Sequence, residues 1–483
     1  MSYEAGEVPY RDFLFVHGVF EDVLQPTIGF ALFGRSVSSA RVFTNLMILA
    51  AHVLCFAYVV IMVRRRPGYV CVVLLVLVLF RSLRELGFHA NVWVPDRDIC
   101  TFAFLIAAFG VGRYAFDPES RSRKTFFVAL FFYSFVPVAS FAYSIDRGFF
   151  LTAAHVILTV LLLVSFRRRR GDVLAGSGIV CLGYLCGVLL VGSLLRWHWQ
   201  PFFEFAFLRI PRYKELMDGL PMPVSNPLAL GLLTLMAANT FWLFHRLLTE
   251  LHHSPGWMRG LRAFVGKYWA ELPLFVVSLT FARHGLGRSD LTHVTNSGLS
   301  SCILSMLIVM RHYLPGWLRR THLEKAFAVT VVTMMLVTGV ILAWQTHSRD
   351  LWRSQFSVRI ADEAWIPEDY REAVKFLRDT LGPEDHFYTM TSEGTWYYWA
   401  NRPSPTRFPV VWFAAPRFYQ QEVVESLEAS KTRIILYRND AVMWAPDNIS
   451  ILERCPIIAE YLETHYKPYR RIGRHEFWIR REE

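Results

Sequence analysis

The chain has 483 residues, of which 53% are hydrophobic and 19% charged, and its 51 Lys and Arg against 40 Asp and Glu leave a net charge of +11. Mean hydropathy is +0.29 and the apolar residues come in long blocks, which excludes an ordinary soluble chain. The basic excess collects beside those blocks, where it marks membrane orientation and contact with lipid headgroups, so it does not point to nucleic acid.

Residues 1–40 are polar and loop-like, with amphipathic segments, and close on Gly34-Arg35-Ser36. Ten apolar runs follow, at 42–63, 69–82, 99–115, 125–143, 149–166, 175–195, 226–245, 267–284, 295–311 and 325–345. A helix needs about 20 residues to cross a bilayer, and the second run is the weakest fit because Arg81, Arg84 and Glu85 follow Phe80 closely. Basic residues bunch at Arg64 to Arg66, Arg121 to Lys124, Arg167 to Arg170, His245 to Lys267 and Arg311 to Lys325, on every second connection. The orientation rule places those connections in the cytoplasm and the alternate ones outside. Residues 1–40 and the C-terminal region are then external. Nothing ahead of residues 1–40 could carry them across, so the natural chain is expected to begin before Met1 with a further span.

Beyond about Asp350 the long apolar runs stop. Pro367 to Leu381 has helical periodicity, with Tyr370, Val374 and Leu377 on one face and Gly382-Pro383 as the stop. A short strand is expected over His386 to Thr391, a helix over Gln420 to Ala429, a strand over Thr432 to Tyr437 and a helix over Pro456 to His465. Alternation on either side of Gly473-Arg474 predicts a terminal hairpin. The fold class is thus mainly α: a polytopic transmembrane helical domain over 41–345, an outer loop over 1–40 and an extracytoplasmic α/β domain over 346–483. The seven cysteines show no metal-ligand spacing, and Cys455, alone in the C-terminal region, is expected to be a small buried hydrophobe.

No phosphate-binding glycine loop and no Ser/His/Asp arrangement stands in the C-terminal region, so chemistry is expected from ionisable groups at the outer ends of the spans. Three clusters qualify. The first is Pro9-Tyr10-Arg11-Asp12-Phe13 with His17-Gly18, Glu21-Asp22 and Phe33-Gly34-Arg35-Ser36; the second is Tyr143-Ser144-Ile145-Asp146-Arg147-Gly148; the third is Gly287-Arg288-Ser289-Asp290 with His293. Each also has a plainer reading. Asp12 and Arg11 would brace a loop, His17-Gly18 would be a turn, and Asp22 would cap the stretch leading to Leu24. Asp146-Arg147-Gly148 would be a tight turn with a local salt bridge, and Ser289-Asp290 would start a helix. Trp197, Trp199, Phe202 and Phe203 read as an interfacial belt, and Trp396 to Trp399 as core or an inter-domain face, with sugar stacking as the sharper alternative.

The stretch from Gly6 to Arg41, GEVPYRDFLFVHGVFEDVLQPTIGFALFGRSVSSAR, resembles the first outer loop and following span of the polytopic GT-C glycosyltransferases. The turn GRSDLTH at Gly287 to His293 and the ending from Ile458 to Arg481 are similar to bacterial membrane proteins of that group. The resemblance implies an enzyme that moves a sugar from a polyprenyl-phosphate carrier to a glycan, lipid or protein acceptor, by inverting displacement at the outer face of the cytoplasmic membrane. In such enzymes a catalytic acidic pair normally precedes the Tyr-Arg-Asp-Phe run, whereas this chain opens at Ser2-Tyr3-Glu4-Ala5-Gly6. A carboxylate must orient or deprotonate the acceptor, and Asp12, Asp22 and Asp290 are the candidates. Cations must meet the leaving phosphate; Arg11, Arg147 and Arg288, with His17 and His293, are the candidates. No cofactor is called for, and a divalent metal would enter where two carboxylates converge. A transporter would need broken helices at mid-membrane, and these spans are largely uninterrupted. A non-catalytic scaffold in cell-envelope assembly is the other alternative reading.

Overall fold

The computed structural model describes residues 2–63, 96–117, 122–165, 170–210, 227–287, 291–313, 356–391, 393–439 and 450–481. The predicted spans at 69–82 and 325–345, and the candidate site residues Arg288 and Asp290, lie outside the described residues. Five described helices are long and apolar enough to cross a membrane: Val37–Met62, Asp98–Phe116, Arg123–Tyr143, Ile145–Ser165 and Ala175–Leu194. The runs predicted at 226–245, 267–284 and 295–311 form the helices Pro227–His252, Leu272–Gly287 and Leu291–Ile308. The chain is therefore mainly α, a polytopic helical fold with a small sheet near its C-terminus.

Two compact units divide it, one made of Val42–Val191 and Pro221–Phe356, the other of Met1–Arg41, Gly192–Leu220 and Ser357–Glu483. In the helical unit, close approach is set by small residues. On the helix Arg170–Leu194, Gly183 and Gly187 are buried while Leu182, Leu185 and Leu189 are exposed, the pattern of a span that meets lipid on one side. A Cβ at Gly183 would lie 2.1 Å from Ser134 Oγ and 2.7 Å from the Phe131 carbonyl, so only glycine admits the helix Arg123–Tyr143 at this distance. Gly112 does the same for Trp269, whose indole N–H donates to the Ala108 carbonyl at 3.1 Å. Asn239 joins two helices by donating to the Ser301 carbonyl (2.9 Å) and accepting from Ser305 (2.9 Å).

The second unit holds a four-stranded sheet in the order β1-β2-β4-β3, with β1 (Phe387–Thr389), β2 (Ile434–Asn439), β3 (Tyr466–Ile472) and β4 (His475–Arg480). β1 runs parallel to β2, and the other pairings are antiparallel. The predicted terminal hairpin is present, and Gly473 takes a φ of 55° in its turn, a conformation that glycine adopts without penalty. β3 is an edge strand, and Lys467, Pro468, Arg470 and Arg471 on it discourage further pairing. The predicted helix at Pro367 to Leu381 spans Glu368–Thr380 and buries Tyr370, Val374 and Leu377 against Phe387, Ile434 and Phe477. Trp396 is fully buried in the same core, stacked on Tyr370 at 5.0 Å, and Glu393 accepts from both the Tyr370 hydroxyl (2.7 Å) and the Trp396 indole (3.0 Å). Trp396 and Trp399 are thus core residues, as one of the two expectations had it. Cys455 is buried too.

Local differences from the sequence reading have local causes. Asp146, Arg147 and Gly148 do not form a turn: they begin the helix Ile145–Ser165, with Ser144 the single residue separating it from the preceding span. Asp146 accepts from the Arg147 N–H at 2.7 Å and from the Ser144 hydroxyl, which makes a helix start out of residues that read as a loop. Of the expected aromatic belt, Trp197 and Phe203 are exposed, whereas Phe202 is buried against Tyr10.

Candidate functional site

Val8 to Phe13 fold into a loop that caps itself. The Asp12 carboxylate accepts the Val8 N–H at 2.7 Å, the Asp12 N–H returns to the Val8 carbonyl at 2.9 Å, and the Tyr10 N–H reaches the Phe13 carbonyl at 2.9 Å. Pro9 has no N–H to satisfy, and an aspartate side chain competes well for a nearby backbone donor. Tyr10 pays for the tight path with a φ of 65°, a strain on the order of 1 kcal/mol or more for a residue with a Cβ. Its buried ring offsets that by packing on Phe15 (4.5 Å), Phe205 (5.1 Å) and Phe202 (5.6 Å). Arg11 grips both oxygens of Asp12, at 2.7 and 2.8 Å. The guanidinium, helped by the Val8 N–H and opposed by partial desolvation, lowers the Asp12 pKa to about 2. A carboxylate that weakly basic is a poor general base near neutral pH, so the local geometry favours the bracing role for Asp12.

Ten residues beyond Asp12, Asp22 lies in the π-helical turn Val19–Leu24 and turns back to His17. Its Oδ2 accepts the His17 N–H at 3.0 Å, and its Oδ1 is 3.0 Å from His17 Nδ1. In the tautomer with the proton on Nδ1, Nε2 is the basic atom of the ring. Among the described residues, His17, Glu21 and Asp22 are the group whose donors, one imidazole nitrogen and two carboxylates, all lie within 4.8 Å of one another. That mixed nitrogen and oxygen set suits a divalent ion of the zinc or manganese kind.

Beside this loop, in the same unit, lies a cleft of about 160 Å³ lined by Tyr10, Arg11, Gln200, Pro201, Glu204, Phe205, Arg209, Arg407 and Tyr419. Arg407 joins its walls: its Nη1 donates to the Tyr10 carbonyl at 2.8 Å, its carbonyl accepts the Leu14 N–H at 2.7 Å, and its fork holds Glu422. Arg209 pairs with Glu204, its Nε at 3.0 Å. Burial pushes the Tyr419 hydroxyl pKa up to about 12, against the pull of Arg407 and Arg209, so it remains a donor at neutral pH.

In the helical unit the charged centre is Arg147. Its Nε and Nη2 reach Asp98 Oδ1 at 3.1 and 3.0 Å, its Nη1 is 3.4 Å from Asp146, and its guanidinium lies 4.4 Å over the Phe281 ring. Thr101 donates to the same Asp98 oxygen at 3.0 Å, and Arg97 approaches Asp146 at 3.3 Å. With 1% of its side chain exposed, Arg147 is committed to neighbouring carboxylates, while Arg97 is 18% exposed.

Of the sequence candidates, Arg11, Asp12, His17 and Asp22 lie together at the start of one unit, and Arg147 lies in the other. His293 is on the helix Leu291–Ile308; Arg288 and Asp290 are outside the described residues. Sequence reading missed Asp98, Arg97, Glu204, Arg209, Arg407 and Tyr419. Asp98 carried a usable signal, a carboxylate one residue ahead of an apolar run, where an unpaired charge would be costly. Arg407 carried none, since its partner Tyr10 is 397 residues away.

No protein-family model matches the chain, and no curated protein matches it. Among solved structures, the crystal structure of ArnT from Cupriavidus metallidurans bound to undecaprenyl phosphate is similar, with a TM-score of 0.50 and 14% identity over 99% of this chain and 91% of that one. At that identity the likeness speaks for the fold. The chain shares with that protein a polytopic, mainly helical fold.

Proposed function

We propose that this protein is a GT-C glycosyltransferase of the cytoplasmic membrane that moves a sugar from a polyprenyl-phosphate carrier to an acceptor at the outer face. The observation that carries the reading is the likeness to ArnT, a protein solved with undecaprenyl phosphate bound, over nearly the whole of both chains. The loop chemistry supports it. In the proposed step an acceptor hydroxyl gives its proton to the His17–Asp22 pair, its oxygen bonds to the anomeric carbon, and the bond from that carbon to the phosphate oxygen breaks with inversion. Polyprenyl phosphate leaves with the electron pair. Asp22 orients the imidazole, 3.0 Å away, that takes the proton. Asp12 holds Arg11 in a fixed fork and so braces the loop that leads to that pair. Arg147, Arg288, Asp290 and His293 remain proposed contributors from the helical unit.

The test is release of polyprenyl phosphate from a lipid-linked sugar by the purified chain in proteoliposomes, with envelope extract as the acceptor source. His17→Ala and Asp22→Asn are each expected to slow release by about 10²-fold or more, the usual range for general acid–base groups. No release from any polyprenyl-phosphate sugar offered, by wild-type protein that is folded, would end the transferase reading.

A further inference from the structure

The cleft beside the Tyr10–Arg11 loop has a charge pattern that selects its ligand. Three guanidiniums line it, and each is already matched: Arg11 by Asp12, Arg209 by Glu204 and Arg407 by Glu422. An anionic group entering here would find no uncompensated positive charge, and would have to displace a carboxylate that is bonded at close range. A polyol meets the opposite situation. The lining includes Gln200 and Glu204, whose amide and carboxylate are side-chain groups that bond sugar hydroxyls, alongside the guanidiniums.

The donors are also held in place before any ligand arrives. Arg209 lies 4.4 Å over the Phe418 ring and 5.9 Å from Tyr419, while Arg407 lies 5.1 Å from both Phe408 and Tyr419. Both guanidiniums thus lie near the Tyr419 ring, and their forks are held by aromatic contacts as well as by ion pairs, which lowers the ordering cost of binding. The space of about 160 Å³ has room for a ligand the size of one sugar ring.

We infer that this cleft is a saccharide subsite that takes one neutral, hydroxyl-rich sugar ring, the terminal unit of a glycan acceptor. The role as acceptor site rests on the transferase reading; the binding of a sugar does not.

The experiment uses the purified full chain in nanodiscs and saturation-transfer NMR with methyl glucoside, methyl mannoside and methyl arabinoside as probes, and inorganic phosphate as competitor. At least one glycoside is expected to bind. Glu204→Gln and Gln200→Ala are each expected to weaken it by about tenfold, the effect of losing one well-placed hydrogen bond. Gln200→Ala leaves the three ion pairs intact, so it keeps the test open should Glu204→Gln fail to fold. The proposal is overturned by absence of glycoside binding, by binding that both variants retain in full, or by competition from millimolar phosphate. Polyprenyl-phosphate release is followed on the same samples. Release without saccharide binding removes this proposal alone, and saccharide binding without release removes the transferase reading alone.

Discussion

Arg147 and Asp98 lie 49 residues apart in sequence and meet at 3.0 Å, with 1% and 4% of their side chains exposed. Removing Arg147 takes the buried guanidinium partner from Asp98, so Arg147→Ala is expected to cost on the order of 3–5 kcal/mol, and Asp98→Asn less, since Arg147 keeps its 3.4 Å contact with Asp146. Replacing both, as Asp98→Leu with Arg147→Met, should cost far less, because no charge is left behind. Thermal unfolding of the four proteins in detergent measures this. A double variant that unfolds as early as the singles would show that the two side chains are not coupled.

Two glycines on one helix make a controlled pair. A Cβ at Gly183 meets Ser134 Oγ at 2.1 Å and the Phe131 carbonyl at 2.7 Å, whereas a Cβ at Gly178 meets nothing within 4 Å. Gly183→Ala is expected to destabilise the protein by about 1–3 kcal/mol through overpacking. Gly178→Ala should be neutral, or stabilising by up to about 1 kcal/mol through helix propensity. Equal melting temperatures for the two variants would contradict the close approach of the two helices.

His475 gives the small α/β domain a pH response. Burial beside Tyr370 and Trp396 lowers its pKa from 6.5, with Arg474 adding to the effect and Asp369 and Glu393 opposing it. Between its folded pKa and 6.5 the unfolded chain binds the extra proton, so stability rises with pH in that window and falls as the solution is acidified below about 6.5. His475→Phe should flatten this slope. A melting profile between about pH 5 and pH 7.5 that is as steep in the variant as in wild type would assign the slope to other groups.

Asp12 is expected to separate stability from activity. Its folded pKa of about 2 lies below 3.8, so its ion pair contributes above the unfolded value and is lost only as pH falls toward the folded one. With side chains 52% and 30% exposed, the Arg11–Asp12 pair is a solvent-screened surface ion pair that contributes little to stability. Asp12→Asn should therefore melt close to wild type while slowing transfer by misplacing Arg11. The pH profile of transfer near neutrality should keep its shape, because Asp12 does not titrate there; a displaced limb in the variant would instead make Asp12 the titrating base.

Sidedness is open to a direct measurement. An alkaline phosphatase fusion after Glu483 is expected to be active and a green fluorescent protein fusion dark, as an extracytoplasmic C-terminus requires. The reverse pattern would remove the outer-face assignment.

What could be read from the sequence was what repeats locally. Alternation flanking Gly473-Arg474 specified the hairpin, and the 3.6-residue spacing of Tyr370, Val374 and Leu377 specified the helix Glu368–Thr380, because each pattern has one buried face. The helix Thr395–Ala400 escaped because Trp396 to Trp399 are four consecutive aromatics with no period to detect. The candidate loop was visible as Tyr10-Arg11-Asp12, but its setting was not. Arg209, Arg407 and Tyr419 come from distant parts of the chain, and no local pattern encodes who meets whom across such separations. Arg147 was noticed and misread, since its partner Asp98 looked like the last residue of a connection.

The unit that holds Tyr10 is assembled from three pieces, Met1–Arg41, Gly192–Leu220 and Ser357–Glu483. At about 5–20 residues per second, a ribosome needs on the order of tens of seconds to pass from the first piece to the last. Phe202 and Phe205, on which the Tyr10 ring packs, arrive with the second piece, and Arg407 only with the third. The nascent protein must keep an aromatic, strain-prone loop out of trouble while nine-tenths of the polypeptide is still arriving. The bond from Arg407 to the Tyr10 carbonyl is therefore the last tie that the loop receives.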